Sequence, residues 1–428
     1  MIWVILVCGL ALTGLIGLPV GIGLGLIGLS ILHFLVGDAM SLSITAVWNT
    51  FNDFILSAVP MFIFMGEILL ASGVSRRLYV AAAPLFRGVP GGLLHTNIAV
   101  CTLFGAVSGA STSTAAAIGS VAYPELKRRG YRPSTVVGTL AAGGTLGLLI
   151  PPSLTLLLYG ATQGVSIGKL FAAGVIPGLL IACAFMAMIR LLTRRDPSIA
   201  PVDPARMPIG QIVLGLLKIW PVAILVFAVL GTIYLGIATA TEAAGLGVVA
   251  SIVIGFTWGD LTLRKLVIAF RDGMVVFATL GVVMIGALIL AQSMSVLGLP
   301  SQVMGLISEL DVSPYLVLLL VIVIYVVLGC FFDGISLLLM TVPVVFPVMT
   351  GVGFDAVWLG VIVTILIEIG MLTPPVGMNL FVLVAITRGE VSLMQAAKAT
   401  MPFWLLMLAA VLVFTLFPQI VLLLPSMV

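Results

Sequence analysis

Apolar stretches of roughly one helix length recur along the whole chain and are separated by short polar segments. A helix needs about 20 apolar residues to cross the hydrocarbon core of a bilayer, so each stretch is predicted to be a membrane-spanning helix. The predicted spans cover residues 1–17, 19–36, 55–73, 134–163, 170–192, 211–236, 239–258, 274–298, 355–386 and 399–425. The distribution of charge decides the structure of two further apolar regions, 93–126 and 313–350.

Composition supports the membrane assignment and excludes other classes. Hydrophobic residues make up 62% of the 428 residues and charged residues 8%, whereas a soluble domain carries roughly 25% charged residues. The short alternating segments of a membrane β-barrel are absent, and no basic run suited to nucleic acid occurs. The 4 cysteines form no CxxC or Cys/His spacing, which argues against a disulfide or metal framework. The first span lacks a preceding basic segment and is interpreted as a retained helix rather than a signal peptide.

The basic residues predict how the helices are oriented. Arginine and lysine clusters follow the third, fifth, seventh and ninth spans. Another cluster follows the first of the two further apolar regions, 93–126. All of these clusters can be cytoplasmic only if each of the two further apolar regions enters and leaves the membrane on the same side. Both regions are therefore predicted to be re-entrant hairpins. The first opens to the cytoplasm, and the second opens outward because residues 349–355 after it carry no Lys or Arg. Only Lys169 then faces out, and both termini are predicted to be outside.

The order of elements repeats with inverted topology, a plan found in many transporters. Residues 55–193 form the first repeat and 274–428 the second, each with a span, an amphipathic connector, a hairpin, a broken helix and a closing helix. Residues 1–54 are predicted to be N-terminal scaffold helices, and 194–273 a central linker with scaffold helices. The predicted fold is an all-α polytopic membrane protein with about ten spanning helices, two re-entrant hairpins and two broken helices. We expect a transport site where the repeats meet.

Two matched proline pairs identify the broken helices. Gly147-Leu-Leu-Ile-Pro-Pro152 and Gly370-Met-Leu-Thr-Pro-Pro375 occupy the same place in the two repeats. Proline lacks an N–H and clashes with the preceding turn, so Pro-Pro inside a span unwinds the helix. The carbonyl groups freed there need partners, and a cation such as Na⁺ suits loose carbonyls and helix C-terminal ends. The alternative is a proline kink whose carbonyls are satisfied by neighbouring side chains.

The hairpin tips carry the complementary polar groups. Residues 105–114 of the first tip are rich in small hydroxyl side chains, which offer oxygen ligands and N-caps. Close packing of helices through small residues is the alternative interpretation. In the second tip Asp333 is an ionisable group at membrane depth, which is functional by default. Capping of the following half-helix is the first role expected for Asp333, before cation binding or orientation of the tip.

Other polar residues in the apolar regions have simpler interpretations. Glu67 and Glu368 are expected to be snorkelled or hydrogen-bonded structural residues. Glu242 begins a span that Thr239 or Thr241 would cap, and its charge suits a helix N-terminus. The 2 histidines are expected to be satisfied polar residues.

These motifs together resemble the large membrane subunit of the tripartite ATP-independent periplasmic (TRAP) transporters, the DctM-like family, over essentially the whole chain. The resemblance is carried by Gly105-Ala-Val-Ser-Gly-Ala-Ser111, Leu149-Ile-Pro-Pro-Ser153, Thr239–Ala244, Phe332-Asp-Gly334, Thr341-Val-Pro-Val-Val-Phe-Pro347 and Leu372-Thr-Pro-Pro-Val-Gly-Met-Asn379. The family usually has proline where this chain has Ala240, which concerns only the start of that helix.

The resemblance implies a sodium-coupled elevator of the ion-transporter-superfamily type in a bacterial inner membrane, with two or more Na⁺ as the coupling ion. It implies three partners besides membrane lipid: a periplasmic substrate-binding protein, a small four-helix membrane subunit, and an organic anion such as a C4-dicarboxylate or a sialic acid. No fused small subunit is expected here.

The resemblance also implies site residues by position. The two implied sodium sites use Ser108, Gly147, Ile150 and Pro152, and Gly329, Gly370, Thr373 and Val376. The implied substrate residues are Ser111, Thr112, Asp333 and Asn379.

Three rival functions can be distinguished. A stand-alone sodium–carboxylate symporter of the same fold is the nearest alternative, and it would need no binding protein. An intramembrane enzyme would need a base beside Ser108 or Ser111, but no histidine lies in a broken helix and no HExxH motif occurs, so no enzymatic activity is expected. A passive channel would not require two matched hairpins.

Overall fold

The computed structural model describes residues 2–37, 39–201, 210, 213, 215 and 217–428, and each secondary-structure element described there is a helix. In the first half of the chain the α-helices are α1 (Ile2–Ile16), α2 (Val20–Phe34), α3 (Met40–Phe51), α4 (Ala58–Ala71), α5 (Val74–Ala82), α6 (Leu93–Ser108), α7 (Ser111–Arg128), α8 (Pro133–Leu149), α9 (Leu154–Gln163) and α10 (Ile167–Arg195).

The second half continues after the central linker. Its α-helices are α11 (Trp220–Tyr234), α12 (Ala240–Thr257), α13 (Leu263–Val296), α14 (Leu299–Glu309), α15 (Pro314–Gly329), α16 (Gly334–Gly351), α17 (Ala356–Leu372), α18 (Met378–Ile386), α19 (Leu393–Leu416) and α20 (Gln419–Leu422). Short 3-10 helices cover Phe54–Ser57, Ala83–Phe86, Pro197–Ile199 and Pro425–Met427.

The helices confirm the spans predicted from the sequence. Within the described ranges, 7 helical segments are long and apolar enough to cross a bilayer, and shorter apolar helices accompany them. Part of the predicted span 211–236 lies outside the described residues, and its described helix α11 begins at Trp220. The two connectors contain the short helices α5 and α14.

Two features differ from the sequence-based expectation. The span predicted to begin at residue 274 begins at Leu263, because Thr262 caps it by accepting a hydrogen bond from the Lys265 amide at 3.3 Å. Its 34 residues correspond to about 50 Å of helix, so α13 is longer than the hydrocarbon core is thick. The additional helix α3 was not predicted, because serine and threonine interrupt its apolar pattern.

The two further apolar regions, 93–126 and 313–350, both form helical hairpins. The first turns at Gly109, whose φ of +63° lies in the left-handed region that glycine favours. The second turns at residues 330–333, and Asp333 caps the returning helix α16. Each region is therefore a hairpin of two helices joined at a tip, as the charge pattern predicted.

The two broken helices are interrupted at the proline pairs. Helix α8 ends at Leu149 and α9 begins at Leu154, while α17 ends at Leu372 and α18 begins at Met378. The Pro151–Pro152 and Pro374–Pro375 peptide bonds are cis.

A pair of glycines joins each hairpin to its broken helix. A Cβ atom on Gly105 would lie 2.6 Å from the Cα of Gly147, and one on Gly329 would lie 2.7 Å from the Cα of Gly370. Backbone therefore packs directly on backbone at the same place in both repeats. The first glycine of each pair is near the end of the first hairpin helix, and the second is four residues before the proline pair.

The hairpins and broken helices of the two repeats form one packed group, here called the central body (α6–α9 and α15–α18). Across the repeats, Asn379 contacts Ser111, and a Cβ on Gly334 would lie 3.4 Å from the side chain of Leu148. At the base of the first hairpin, Glu390 accepts hydrogen bonds from Lys127 and Tyr123. These contacts join the two repeats near the tips and at the base of the first hairpin.

Candidate functional site

The first break leaves carbonyl groups without helical donors. Gly147 and Leu148 would be bonded by the amides of residues 151 and 152, but both positions are proline. The hydroxyl of Ser153 donates to the Leu148 carbonyl. The Gly147 carbonyl gains no such side-chain partner in the described part of the chain, so it remains a candidate ligand group.

The first hairpin tip faces this break with hydroxyl groups. The hydroxyls of Ser108 and Thr114 lie 2.6 Å apart, and a Cβ on Gly147 would lie 3.3 Å from Thr114 Oγ1. The Pro152 carbonyl oxygen would lie 3.4 Å from a Cβ on Gly109. Ser108, Gly147 and Pro152 therefore surround one small buried region, and sequence analysis missed Thr114 as an individual member although it quoted the tip that contains it. Ile150 adjoins the same region in an extended conformation.

The second break is built in the same way but is more open. The carbonyl of Gly370 accepts hydrogen bonds from the amide of Thr373 at 3.2 Å and from its hydroxyl at 3.0 Å. The Thr373 hydroxyl also lies 3.2 Å from Cys330 Sγ in the second tip, and the Gly377 amide donates to the Cys330 carbonyl at 3.3 Å. Sequence analysis gave Cys330 no role because a lone cysteine among apolar residues carries no ligand signal.

The two breaks differ in how far they are exposed to solvent. Pro151 and Pro152 are buried, whereas Pro374 and Pro375 are exposed and Val376 is half-buried. Gly329 and Gly370 are themselves buried against each other. The structure thus brings Gly329, Gly370 and Thr373 together, with Val376 at the open side.

Asn379 joins the second broken helix to the first tip. Its side-chain amide donates to the hydroxyl of Ser111 at 2.6 Å, and its side chain is fully buried. Its carbonyl oxygen Oδ1 has no hydrogen-bond partner among the described residues. A buried acceptor without a partner is costly, so Oδ1 is available to a ligand that enters between the tips.

A small cavity of about 140 Å³ lies between scaffold helix α4 and the first tip. Among the residues that line it are Ser108, Thr112, Ser113 and Glu67. It is smaller than the roughly 300–1,000 Å³ typical of drug-sized ligand sites. Of the four predicted substrate residues only Thr112 lines this cavity, while Ser111 and Asn379 contact each other behind it.

A larger polar cavity of about 410 Å³ lies between helices α3 and α13 and the central-body helices α9 and α16. Asn49, Gln163, Gln292 and Ser295 are among its polar lining residues. None of the predicted site residues lines it. It is a polar space between the central body and the surrounding helices.

Asp333 has the capping role that was expected first. Its carboxylate accepts a hydrogen bond from the Ser336 amide at 3.1 Å. It lines neither of the two polar cavities. In this conformation the structure therefore does not bring Asp333 together with Thr112.

The other intramembrane acids divide into confirmed and corrected cases. Thr239 and Glu242 form a reciprocal capping box at the start of α12, which confirms the structural role of Glu242. The helix begins at Ala240, directly after its cap Thr239. The snorkelling expected for Glu368 is wrong, because its side chain is fully buried. The hydrogen-bonded alternative rests on the backbone of Leu149, since neither carboxylate oxygen has another partner in the described part of the chain. The backbone of Leu149 at the first break is close to it.

Two hairpins and two broken helices, joined in one body among apolar helices, define a multi-pass membrane permease. The family model described as "Tripartite ATP-independent periplasmic transporter, DctM component" matches residues 7–420, and the chain belongs to this family. The named relatives are transporter permeases and not enzymes. As a family member the chain is a multi-pass inner-membrane protein and the large permease of a system that includes a binding protein and a small membrane subunit.

Individual relatives show how close the similarity is. The chain is 33% identical over 406 residues to the C4-dicarboxylate TRAP transporter large permease protein DctM of Pseudomonas aeruginosa, covering 94% of this chain and 93% of that one. It is 32% identical over 411 residues to the isethionate TRAP transporter permease protein DctMQ of Oleidesulfovibrio alaskensis, covering 96% and 64%.

A solved structure shares the fold. The crystal structure of the Alcanivorax borkumensis YdaH transporter, described as having an unusual topology, aligns with a TM-score of 0.64 at 16% identity. The alignment covers 92% of this chain and 89% of that one. At this identity the likeness concerns the architecture alone.

Proposed function

We propose that the chain couples the uptake of an organic anion to sodium, receiving the substrate from a periplasmic binding protein and working beside a small four-helix membrane subunit. The observation that carries this proposal is the matched pair of proline breaks, each of which faces a hairpin tip. Transporters of several folds place ion and substrate sites at such discontinuous helices near the bilayer midplane.

The residues at both breaks fit a hard cation that prefers oxygen ligands. The first proposed sodium site uses the Ser108 hydroxyl and the carbonyls of Gly147, Ile150 and Pro152. The second uses the carbonyls of Gly329, Gly370 and Val376 together with Thr373. Each break supplies carbonyls that proline deprives of a helical donor, and a bound cation would neutralise these helix C-terminal ends.

The substrate is proposed to bind between the tips. Thr112 and Asn379 offer neutral polar groups, Ser111 orients Asn379, and the capping of α16 by Asp333 places the second tip. The relatives act on a C4-dicarboxylate and on isethionate according to their names, which supports a small organic anion as the substrate here.

The central body is proposed to move as a unit against the scaffold. The contacts between the repeats, including Asn379 with Ser111 and Glu390 with Lys127, support one rigid body. The two polar cavities lie at its boundary with the helices around it, which is where sliding surfaces are expected.

Uptake measurements test the sodium coupling directly. We expect the chain, reconstituted in liposomes with its small subunit and binding protein, to accumulate substrate only with an inward sodium gradient. An equal potassium gradient is the control. Undiminished uptake without sodium would remove the coupling, and undiminished uptake without the binding protein would favour the stand-alone symporter.

Thr373→Val tests the second sodium site. The substitution removes the hydroxyl that lies beside Gly370 and Cys330 while keeping the shape of the side chain. We expect the sodium concentration for half-maximal uptake to rise roughly tenfold, which corresponds to about 1.4 kcal/mol of lost binding. Thr364→Val is the matched control, since Thr364 lies in α17, the helix that ends just before Thr373, and the one hydrogen bond described for its hydroxyl is to the Gly360 carbonyl, at 2.8 Å. Equal sodium dependence in both variants would exclude the Thr373 hydroxyl as a ligand.

Labelling of single cysteines tests the proposed orientation, in which both termini are periplasmic. In a background without native cysteines, a cysteine at Val352 should react with a membrane-impermeant maleimide added to whole cells with a permeable outer membrane. A cysteine at Arg129 should react only after the inner membrane is opened. The reverse pattern would invert the topology.

A further inference from the structure

An apolar cavity of about 420 Å³ lies beside the second hairpin, apart from the two polar cavities. Its walls come from α1 and α13, from the connector helix α14, and from both hairpin helices α15 and α16. Leu10, Met294, Val303, Val321 and Val345 represent the five helices. The cavity is therefore bounded by the scaffold on one side and by the central body on the other.

No polar group in this cavity is left for water. Thr341 is the one lining residue with a polar side chain among those described. Its hydroxyl already lies 2.5 Å from the Tyr325 hydroxyl and 2.7 Å from the Leu337 carbonyl. A buried water needs two to four polar partners, and apolar cavities without them stay dry. Water and polar solutes are thereby excluded as occupants.

The helices that form the cavity also border the lipid. Leu320 and Ile324 line it and are 55% and 44% exposed, and Leu306 on the connector is 55% exposed. Hydrocarbon chains surround such surfaces in a bilayer. An empty cavity of this size would forfeit the dispersion contacts of its walls, whereas a flexible hydrocarbon chain can fill its irregular shape.

Two acidic residues flank one of the residues that line the cavity. Glu309 and Asp311 are exposed and flank Leu310, which lines the cavity. The described residues include no ion pair to either acid. The sequence has no lysine or arginine from residue 272 to 387, so the connector helix and both hairpin helices offer no cation to an anionic headgroup or a fatty-acid carboxylate. An ammonium headgroup would meet two carboxylates.

We propose that this cavity is a lipid site, in which an acyl chain of a phospholipid with an ethanolamine headgroup lies between the connector helix α14 and the second hairpin. The ammonium group lies near Glu309 and Asp311, and the chain reaches toward Val321 and Val345. If the central body slides as proposed above, the chain can deform with it and keep the gap filled.

Photo-crosslinking on the unaltered protein tests the site without any substitution. The chain with its small subunit is reconstituted with phosphatidylethanolamine carrying a diazirine near the end of one acyl chain. We expect labelled peptides from α15 and α16 to concentrate on residues that line the cavity. Analogues with a phosphatidylglycerol headgroup, or of the free fatty acid, should label these residues several-fold less. Labelling spread evenly over the lipid-exposed faces, or equal labelling by all three probes, would overturn the proposal.

Paired valine substitutions test whether the cavity itself holds the chain. Val321 is 6% exposed and lines the cavity, whereas Val323 is 51% exposed and faces away from it on the same helix. Val321→Trp should reduce cavity labelling at least about tenfold, and Val323→Trp should leave it unchanged. Loss in both variants, or in neither, contradicts the proposal.

Charge reversal at the mouth provides a test that leaves the core packing intact. Both acids are on the surface, so Glu309→Lys with Asp311→Lys should fold even if Val321→Trp does not. The double variant should reverse the headgroup preference toward phosphatidylglycerol. An unchanged preference would refute the role of the two acids. Preferential labelling of the small subunit's peptides at the cavity boundary would instead show that a protein helix covers it.

Discussion

Gly105→Ala and Gly329→Ala should each impair folding and abolish most uptake. In both places the new methyl group would lie less than 3 Å from a backbone Cα of the broken helix, at 2.6 Å from Gly147 and 2.7 Å from Gly370. Backbone cannot rotate away as a side chain can, so the hairpin and the broken helix must separate. Overpacking of this kind costs roughly 1–3 kcal/mol. Thermal unfolding in detergent and uptake in liposomes measure the two effects.

Gly281→Ala is the matched control for these substitutions. Gly281 lies within helix α13, and a Cβ there would have no neighbour within 4 Å. Alanine is a better helix former than glycine by about 1 kcal/mol, so this variant should be as stable as the parent or more so. If Gly105→Ala and Gly281→Ala behaved alike, the glycine contact would have no special role.

Asn379→Ala should reduce uptake by roughly 10-fold to 100-fold. The substitution leaves the buried Ser111 hydroxyl without its partner at 2.6 Å, and it removes the buried Oδ1 acceptor, which has no partner among the described residues. Losing a buried partner costs about 1–3 kcal/mol, and each 1.4 kcal/mol corresponds to a factor of about ten. Initial uptake rates over a range of substrate concentrations separate lost affinity from lost turnover.

A double-mutant cycle with Ser111→Ala controls for simple loss of folding. If the hydrogen bond couples the two residues, the double variant should be less impaired than the sum of the single effects in free energy. Additive effects would show that Asn379 acts independently of Ser111. A rise in the half-saturating concentration in Asn379→Ala but not in Ser111→Ala would indicate that Oδ1 itself contacts the substrate.

The local chemistry of the chain made several features predictable. Proline lacks an amide hydrogen, so the Pro-Pro sequences located both helix breaks to within a few residues. Asp333 and Thr239 were predictable as caps because an oxygen two or three residues before a helical amide can accept its hydrogen bond. The distribution of lysine and arginine identified both hairpins, since only re-entrant segments keep the clusters on one side.

Contacts between distant parts of the chain were not predictable in this way. Asn379 and Ser111 are 268 residues apart, and no local pattern indicates that they meet. The sequence has 47 glycines, and nothing in the residues beside Gly105 or Gly370 marks them as sites of backbone contact. The buried position of Glu368 depends on how the two broken helices pack, which local periodicity does not encode.

The tight contacts of the first hairpin have a consequence for how the barrier to substrate opens. Gly105 on α6 packs against Gly147, and a Cβ on Gly144 would lie 2.8 Å from the Cβ of Ala115 on α7. Both arms of the hairpin are therefore clamped to the same half of the broken helix, and its tip has no free arm that could swing like a flap. These contacts favour the proposed displacement of the central body over a hinge within the first tip. A cross-link within that unit should then permit transport, whereas one from the unit to helix α4 should stop it.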